Sequence, residues 1–173
     1  VADAKLAIEA LLEYIEPHDL GDWPTQLQQL KEERPVTQAG EEGLTPQNII
    51  DYINNHYDRP VVTTDVGQNQ LWTTQFLEIE GNHQLLTSGG LGTMGYGFPA
   101  AIGAQFGNPT KRVFAICGDG GVQMNIQEFA TAMHYHLPVT LVVINNGYLG
   151  NVRQWQQLFY DKRYACTNLL MDE

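Results

Sequence analysis

The sequence predicts an α/β fold, a parallel β-sheet with helices on both faces. Two observations predict it. Three short runs, PVVTTD (60–65), RVFAICGD (112–119) and PVTLVVIN (138–145), are apolar or β-branched almost throughout. Continuous rather than alternating apolar character belongs to strands covered on both faces. Helical patterns fall between these runs, and strand–helix–strand alternation builds a parallel sheet.

The elements follow in order. Residues 2–15 carry Leu6, Ile8, Leu11, Leu12 and Ile15 at helical spacing, and Pro17 ends the pattern. A second short helix covers 25–33. RPVTQAGEEG (34–43) mixes proline, glycine and acids and reads as a linker. The expected domains are therefore 1–40 and 41–173. Thr45 is an N-cap and Pro46 the first residue of a helix running through His56. The strand at 60–65 leads to a helix over 68–76. GGLGTMGYGFPAAIGAQFG (89–107) is glycine-rich at first and helical later. The strand at 112–119 precedes a helix over 124–135. The strand at 138–145 precedes a helix over 149–160. Only DKRYACTNLLMDE remains after it, so the sheet is expected to be incomplete at the C-terminus. Val1 in place of methionine points to a processed or excised chain.

The 173 residues are 43% hydrophobic and 17% charged, an ordinary globular composition with room for one domain and part of another. A net charge of −11 argues against nucleic acid or an anionic membrane as partner. A phosphorylated ligand would have to be held by a metal ion, backbone amides or helix N-termini rather than a lysine patch. The amphipathic start VADAKLAIEALLEY is not a signal peptide, and no apolar run approaches the ~18 residues of a membrane span. Cys117, inside an apolar run, is expected to be a buried thiol, and it forms no CxxC pair with Cys166. That fits a reducing compartment.

Parallel strands joined by a right-handed crossover end at the same sheet edge. Ligands of such sheets bind outside those carboxyl ends. Asp119 stands just past one predicted strand and Asn146 just past the next, 146 − 119 = 27 residues on. A carboxylate and an amide oxygen are thus expected to meet at one edge. With free loop carbonyls they suit a hard cation such as Mg²⁺, which keeps waters and shares substrate phosphates. Gly118, Gly120 and Gly121 let the backbone approach a ligand and expose its amides. The helix that follows offers its N-terminus to an anion. GDGG or NNG alone is an ordinary turn. Both together, at consecutive strand ends, describe a metal–diphosphate site. GGLGTMGYG contains a GxGxxG spacing, but no buried strand of any length leads straight into it.

GDG followed by NN at the next strand end resembles the thiamine diphosphate signature of the decarboxylase and synthase superfamily. More narrowly, four stretches resemble the C-terminal, thiamine diphosphate-binding domain of the acetohydroxyacid synthase (acetolactate synthase) catalytic subunit. They are VVTTDVGQNQLW, LTSGGLGTMGYGFPAAIGAQ, GDGGVQMNIQEFATA and GNVRQWQQLFY. The resemblance covers 44–165, and 1–35 resembles the tail of that family's middle domain.

The resemblance implies a role for each matching residue. Asp119 and Asn146 give side-chain oxygens to Mg²⁺, and Tyr148 gives its carbonyl. The metal and the amides around Gly120 and Gly121 hold the diphosphate. Gly118, Leu149 and Gly150 belong to the same cofactor site. Gln68 and Asn69 lie on a loop that touches the diphosphate. The family usually has His at the position of Asn69; asparagine still donates a hydrogen bond, so cofactor binding is expected to survive. The Gly92 carbonyl accepts from the cofactor's aminopyrimidine. Met94 wedges beneath the bent cofactor, which brings its 4′-imino group to the thiazolium C2. Trp155 matches a substrate-pocket tryptophan linked to preference for a larger second 2-oxo acid. Asn151 departs from the family's common Met, which bears on that preference.

The implied activity is decarboxylation of pyruvate and condensation of the hydroxyethyl unit with a second 2-oxo acid, pyruvate or 2-oxobutyrate, in branched-chain amino acid biosynthesis. The implied partners are small 2-oxo acids, further copies of the full-length chain in a dimer or tetramer, and a regulatory subunit. The implied location is cytoplasmic, or plastid or mitochondrion in a eukaryote. FAD binds largely through domains absent here. Asn69 and Asn151 keep open a pyruvate oxidase or glyoxylate carboligase type. A non-catalytic binding module is disfavoured by the intact Asp119 and Asn146. Arg153 is expected in a surface or subunit-interface ion pair, and His134 and His136 to face solvent or a partner. The family's activating glutamate comes from a different domain, so these 173 residues alone are expected to be inactive.

Overall fold

The structure is a computed structural model that describes residues 2–36, 43–79 and 84–170. The chain divides into two units, 1–37 and 38–173. The expected boundary near residue 40 lies outside the described residues. No helix of the described residues is long and apolar enough to cross a membrane.

The first unit holds α1 (Ala4–Leu12) and α2 (Trp23–Glu33), neither with a buried residue. Asp3 caps α1, its carboxylate accepting from the Leu6 amide at 3.1 Å. The helix stops at Leu12, short of the predicted residue 15, because the Tyr14 amide turns back to the Leu11 carbonyl in a tighter turn. α2 starts two residues earlier than predicted. Pro24 falls in its first turn, where a missing N–H loses no helical bond.

The second unit runs α3 (Pro46–His56), β1 (Val61–Thr64), α4 (Gln68–Phe76), β2 (Leu85–Thr87), α5 (Gly97–Gly107), β3 (Val113–Gly118), α6 (Asp119–Met124), a 3-10 turn (Ile126–Glu128), α7 (Phe129–His134), β4 (Thr140–Ile144) and α8 (Gly150–Phe159). Thr45 caps α3 as expected, and the cap is reciprocal. The Asn48 amide donates to Thr45 Oγ1 at 3.2 Å, and Asn48 Oδ1 accepts from the Thr45 amide at 3.0 Å.

The four strands form one parallel sheet in the order β2-β1-β3-β4. β2 was not expected from sequence. It is three residues of a half-buried edge strand, too short to show a period. The helix predicted over 124–135 is a second correction. The helical path begins at Asp119, breaks at Asn125 (φ −133°, ψ 35°) and resumes in the 3-10 turn and α7. The break has a cause: Asn125 turns its amide to the Gly95 carbonyl at 2.7 Å.

Both sheet faces are covered. Val61, Val113, Ala115 and Cys117 pack against Phe98, Ala101 and Ile102 of α5, with Val122 and Ala132 alongside. On the other face Val62, Phe114 and Ile116 pack against Ile53 of α3, with Tyr57 and Leu77. The alternation along β1 and β3 is the period of two that a pleated strand imposes. Thr63 and Thr64 are polar yet fully buried, and each has a partner. Thr63 Oγ1 donates to the Gly97 carbonyl at 2.7 Å and Thr64 Oγ1 to Thr87 Oγ1 at 2.8 Å.

Cys117 is buried, as expected, and Cys166 is exposed. Burial first, and the nearby Asp65 carboxylate second, push the Cys117 thiol up to about 12. At pH 8 an alkylating agent is expected to label Cys166 and spare Cys117, as peptide mapping would show. Labelling of Cys117 in the native protein at a comparable rate would contradict its burial. The unfolded chain loses this thiol's proton near pH 9 and the folded chain keeps it to about 12, so this group makes stability fall with pH across that window.

The chain leaves β1 for β2 on one side of the sheet and returns to β3 on the other. Such a reversal opens a crevice at the carboxyl ends of the two strands that flank it.

Candidate functional site

An open cleft of about 180 Å³ occupies that crevice. Three strand-end loops build it: Val66, Gly67, Gln68 and Asn69 after β1, Gly118 to Gly121 after β3, and Asn146 with Tyr148 to Val152 after β4. Gly92 and Met94 of the glycine-rich loop complete the wall. Every residue placed at the site from sequence lines this cleft except Trp155.

Asp119 is the first residue of α6, so its position is set by the end of β3. Among the described residues its carboxylate has no hydrogen-bond partner. Asn146 forms a turn in which its Oδ1 accepts from the Tyr148 amide at 3.0 Å. Its Nδ2 donates to Gln68 Oε1 at 3.1 Å, tying the loop after β4 to the loop after β1. An amide oxygen has two lone pairs, so one remains for a ligand. Among the described residues no three His, Cys, Asp or Glu side chains cluster. A donor set of one carboxylate, one amide oxygen and loop carbonyls fits a hard cation that fills its shell with waters and phosphate oxygens.

Asn69 is 4% exposed, and both hydrogens of its amide go to backbone carbonyls, Asp65 at 3.0 Å and Ile116 at 3.1 Å. The sequence left this amide free to donate to a ligand. The fold instead makes it a strut between the ends of β1 and β3.

The residue that sequence reasoning missed is Asp65. It follows β1 and is 1% exposed. Its Oδ1 accepts from the amides of Val66 at 2.8 Å and Gly95 at 3.0 Å, and its Oδ2 from Gly97 at 2.9 Å. One carboxylate thus holds the C-terminal end of the loop that carries Gly92 and Met94. Gly95, at φ +86°, takes a conformation that disfavours a side chain, and a Cβ there would strike Asn125. Gly121 lies against the Asp65 carboxylate, which leaves no room for a Cβ. The last glycine of GDGG is therefore dictated by a group 56 residues earlier (121 − 65). The one available signal was an Asp directly after a buried strand, the same placement that singled out Asp119.

Met94 reaches over the GDGG turn: a Cβ on Gly120 would lie 3.6 Å from its Cε and 3.1 Å from Leu149 and Leu169. The chain after α8 folds back onto this site. The Leu149 amide donates to the Thr167 carbonyl at 2.9 Å and the Leu169 amide to the Gly147 carbonyl at 2.8 Å. Arg153, expected in an ion pair, has none among the described residues. Its guanidinium packs between the rings of Tyr148 (4.1 Å) and Tyr164 (3.9 Å). Trp155 lies outside the cleft. It is 63% exposed, stands edge-on to Phe159 at 5.9 Å, and lines a separate hollow with Val152, Gln156, Tyr160 and Arg163. Val152 lines both, so the two hollows adjoin along α8.

The family described as thiamine pyrophosphate enzyme, C-terminal TPP binding domain, matches residues 65–172. An acetolactate synthase of Arthrospira platensis is 47% identical over 146 residues, which is 84% of this chain and 25% of that protein. The acetolactate synthase large subunit of Corynebacterium glutamicum is 42% identical over 177 aligned residues, 98% of this chain and 28% of that protein. That of Lactococcus lactis is 41% identical over 166 residues, 94% of this chain and 29% of that protein. The chain spans between a quarter and a third of the length of the curated relatives it matches.

Proposed function

This chain belongs to the thiamine pyrophosphate enzymes, as their C-terminal TPP-binding domain, and on that premise we propose that it forms the diphosphate-binding part of an acetolactate synthase. The whole enzyme would decarboxylate pyruvate and join the two-carbon unit to a second 2-oxo acid. The observation that carries the reading is the convergence of Asp119, Asn146, Gly92 and Met94 on one cleft at the sheet's carboxyl edge. When bound, thiamine diphosphate supplies the electron sink for the decarboxylation.

This chain's residues bind and orient. Asp119, Asn146 and the Tyr148 carbonyl would hold Mg²⁺, whose charge would offset that of the diphosphate on a protein of net charge −11. The amides of the GDGG turn hold phosphate oxygens. Met94, on the loop that Asp65 clamps, would pack against the cofactor, and the Gly92 carbonyl would accept from its aminopyrimidine. Asn69 contributes by fixing the strand ends rather than by reaching the ligand. Trp155 and Val152 shape the approach for the second 2-oxo acid. No group here is assigned to FAD. Residues 1–40 are read as the tail of a preceding domain. The activating acid, further copies of the chain and a regulatory subunit lie outside these residues.

The test is a product assay on the full-length protein with pyruvate alone and with added 2-oxobutyrate. Acetolactate and the mixed product should form only with thiamine diphosphate and Mg²⁺ present. The 173-residue chain by itself should make neither. Acetate or tartronate semialdehyde as the product, from pyruvate or glyoxylate, would assign a different thiamine enzyme.

A further inference from the structure

Gly95 is held through both of its peptide groups. Its amide donates to Asp65 Oδ1 at 3.0 Å, and its carbonyl accepts from Asn125 Nδ2 at 2.7 Å. The first of these planar groups is shared with Met94, so the two bonds together set where the Met94 side chain starts. The Asn125 carboxamide has one way to face. A carbonyl can only accept, and the asparagine's own oxygen accepts from Gln127 Nε2 at 3.2 Å. The contact is close: a Cβ on Gly95 would lie 2.7 Å from Asn125 Nδ2 and 3.0 Å from Met124 Cβ. The six residues of α6 thus meet Met94 and Gly95 at both ends. At its start Met94 reaches over Gly120, and just past its end Asn125 grips Gly95. The chain gives up regular helix at Asn125 to make that bond.

We propose that Asn125 is a positioning residue: by holding the Gly95 carbonyl it sets Met94 against the GDGG turn, and through Met94 it sets the bend of a bound thiamine diphosphate. The proposal rests on the reading of the cleft as that cofactor's site. Asn125 does not line the cleft and acts through one peptide group. Glycine is the residue that needs such help, since without a Cβ its backbone resists rotation least. With Asn125 removed, Asp65 still fixes the peptide before Gly95, but the peptide after it loses its side-chain donor. Asp119, Asn146 and the amides of the turn keep their places. The loss therefore falls on the relative placing of the cofactor's two rings, not on the grip on its diphosphate.

The experiment uses the full-length protein saturated with thiamine diphosphate and Mg²⁺. Exchange of the bound cofactor's C2 proton for deuterium is followed by acid quench and proton NMR. This reads the geometry in the folded, loaded protein, independently of turnover and of stability. Asn125→Ala should slow the exchange about 10-fold or more, since a misplacement of ~1 Å in a reacting geometry can cost about 100-fold. Cofactor affinity, read by calorimetry, should stay close to the parent's. Asn125→Asp keeps the shape but turns a carboxylate oxygen toward the Gly95 carbonyl, so it should slow the exchange at least as much; it also serves if the alanine variant fails to fold. Exchange at the parent's rate in the loaded variants, whether or not affinity has fallen, would overturn the role of Asn125 alone. Failure of the unaltered protein to bind thiamine diphosphate would overturn the site reading and this proposal with it.

Discussion

Asp65→Ala is expected to destabilise the protein by about 4 kcal/mol, the cost of leaving buried backbone donors without an acceptor. The amides of Gly95 and Gly97 would lose their acceptor inside the fold, at about 1–3 kcal/mol each. Asp65→Asn tests the charge and geometry separately from the size. An asparagine offers one acceptor oxygen and places an NH₂ where the other oxygen was, facing an N–H of Gly95 or Gly97. About 2 kcal/mol should be lost even though the shape is kept. Urea unfolding of full-length protein measures both. Cofactor affinity should fall with stability, because the loop bearing Gly92 and Met94 is held by this carboxylate. An asparagine variant as stable as the parent would show that the carboxylate is not the strut described here.

Asp119→Ala is expected to lower the Mg²⁺-dependent affinity for thiamine diphosphate by about 100-fold or more, since even groups one shell removed from a metal are worth about 10–100-fold. Stability should barely change. Asp119 is half-buried, has no hydrogen-bond partner among the described residues, and gives α6 only the small benefit of an acid in its first turn, about 0.3–1 kcal/mol. The two carboxylates therefore predict opposite patterns: Asp65 moves stability first, and Asp119 moves binding alone. Calorimetry with Mg²⁺ and cofactor on the full-length proteins measures the difference, and superimposable isotherms for parent and Asp119→Ala would remove the metal site from this position.

Much of this was legible along the chain. The helix at 46–56 and the helix at 68–76 end where the sequence places them, because caps, prolines and period are local properties. The two central strands announce themselves by apolar or β-branched runs, while β2 has three residues and no pattern to read. The break at Asn125 was hidden because the partner that causes it, Gly95, is 30 residues away. The same distance hid Asp65, which along the chain is only an acid after a strand.

The sequence by itself determined that a parallel sheet would form, and that Asp119 and Asn146 would stand at its carboxyl edge, since strand direction and turn chemistry follow from residues next to one another. Only the tertiary structure decided which acid stands unpartnered in the cleft and which is a strut. It also took the Asn69 amide for the backbone, turned the Asn125 amide to the Gly95 carbonyl, and set Arg153 between two tyrosines. Each of these depends on which groups from distant segments meet once the strands are in register, and a hydrogen bond or a buried charge takes its meaning from that meeting.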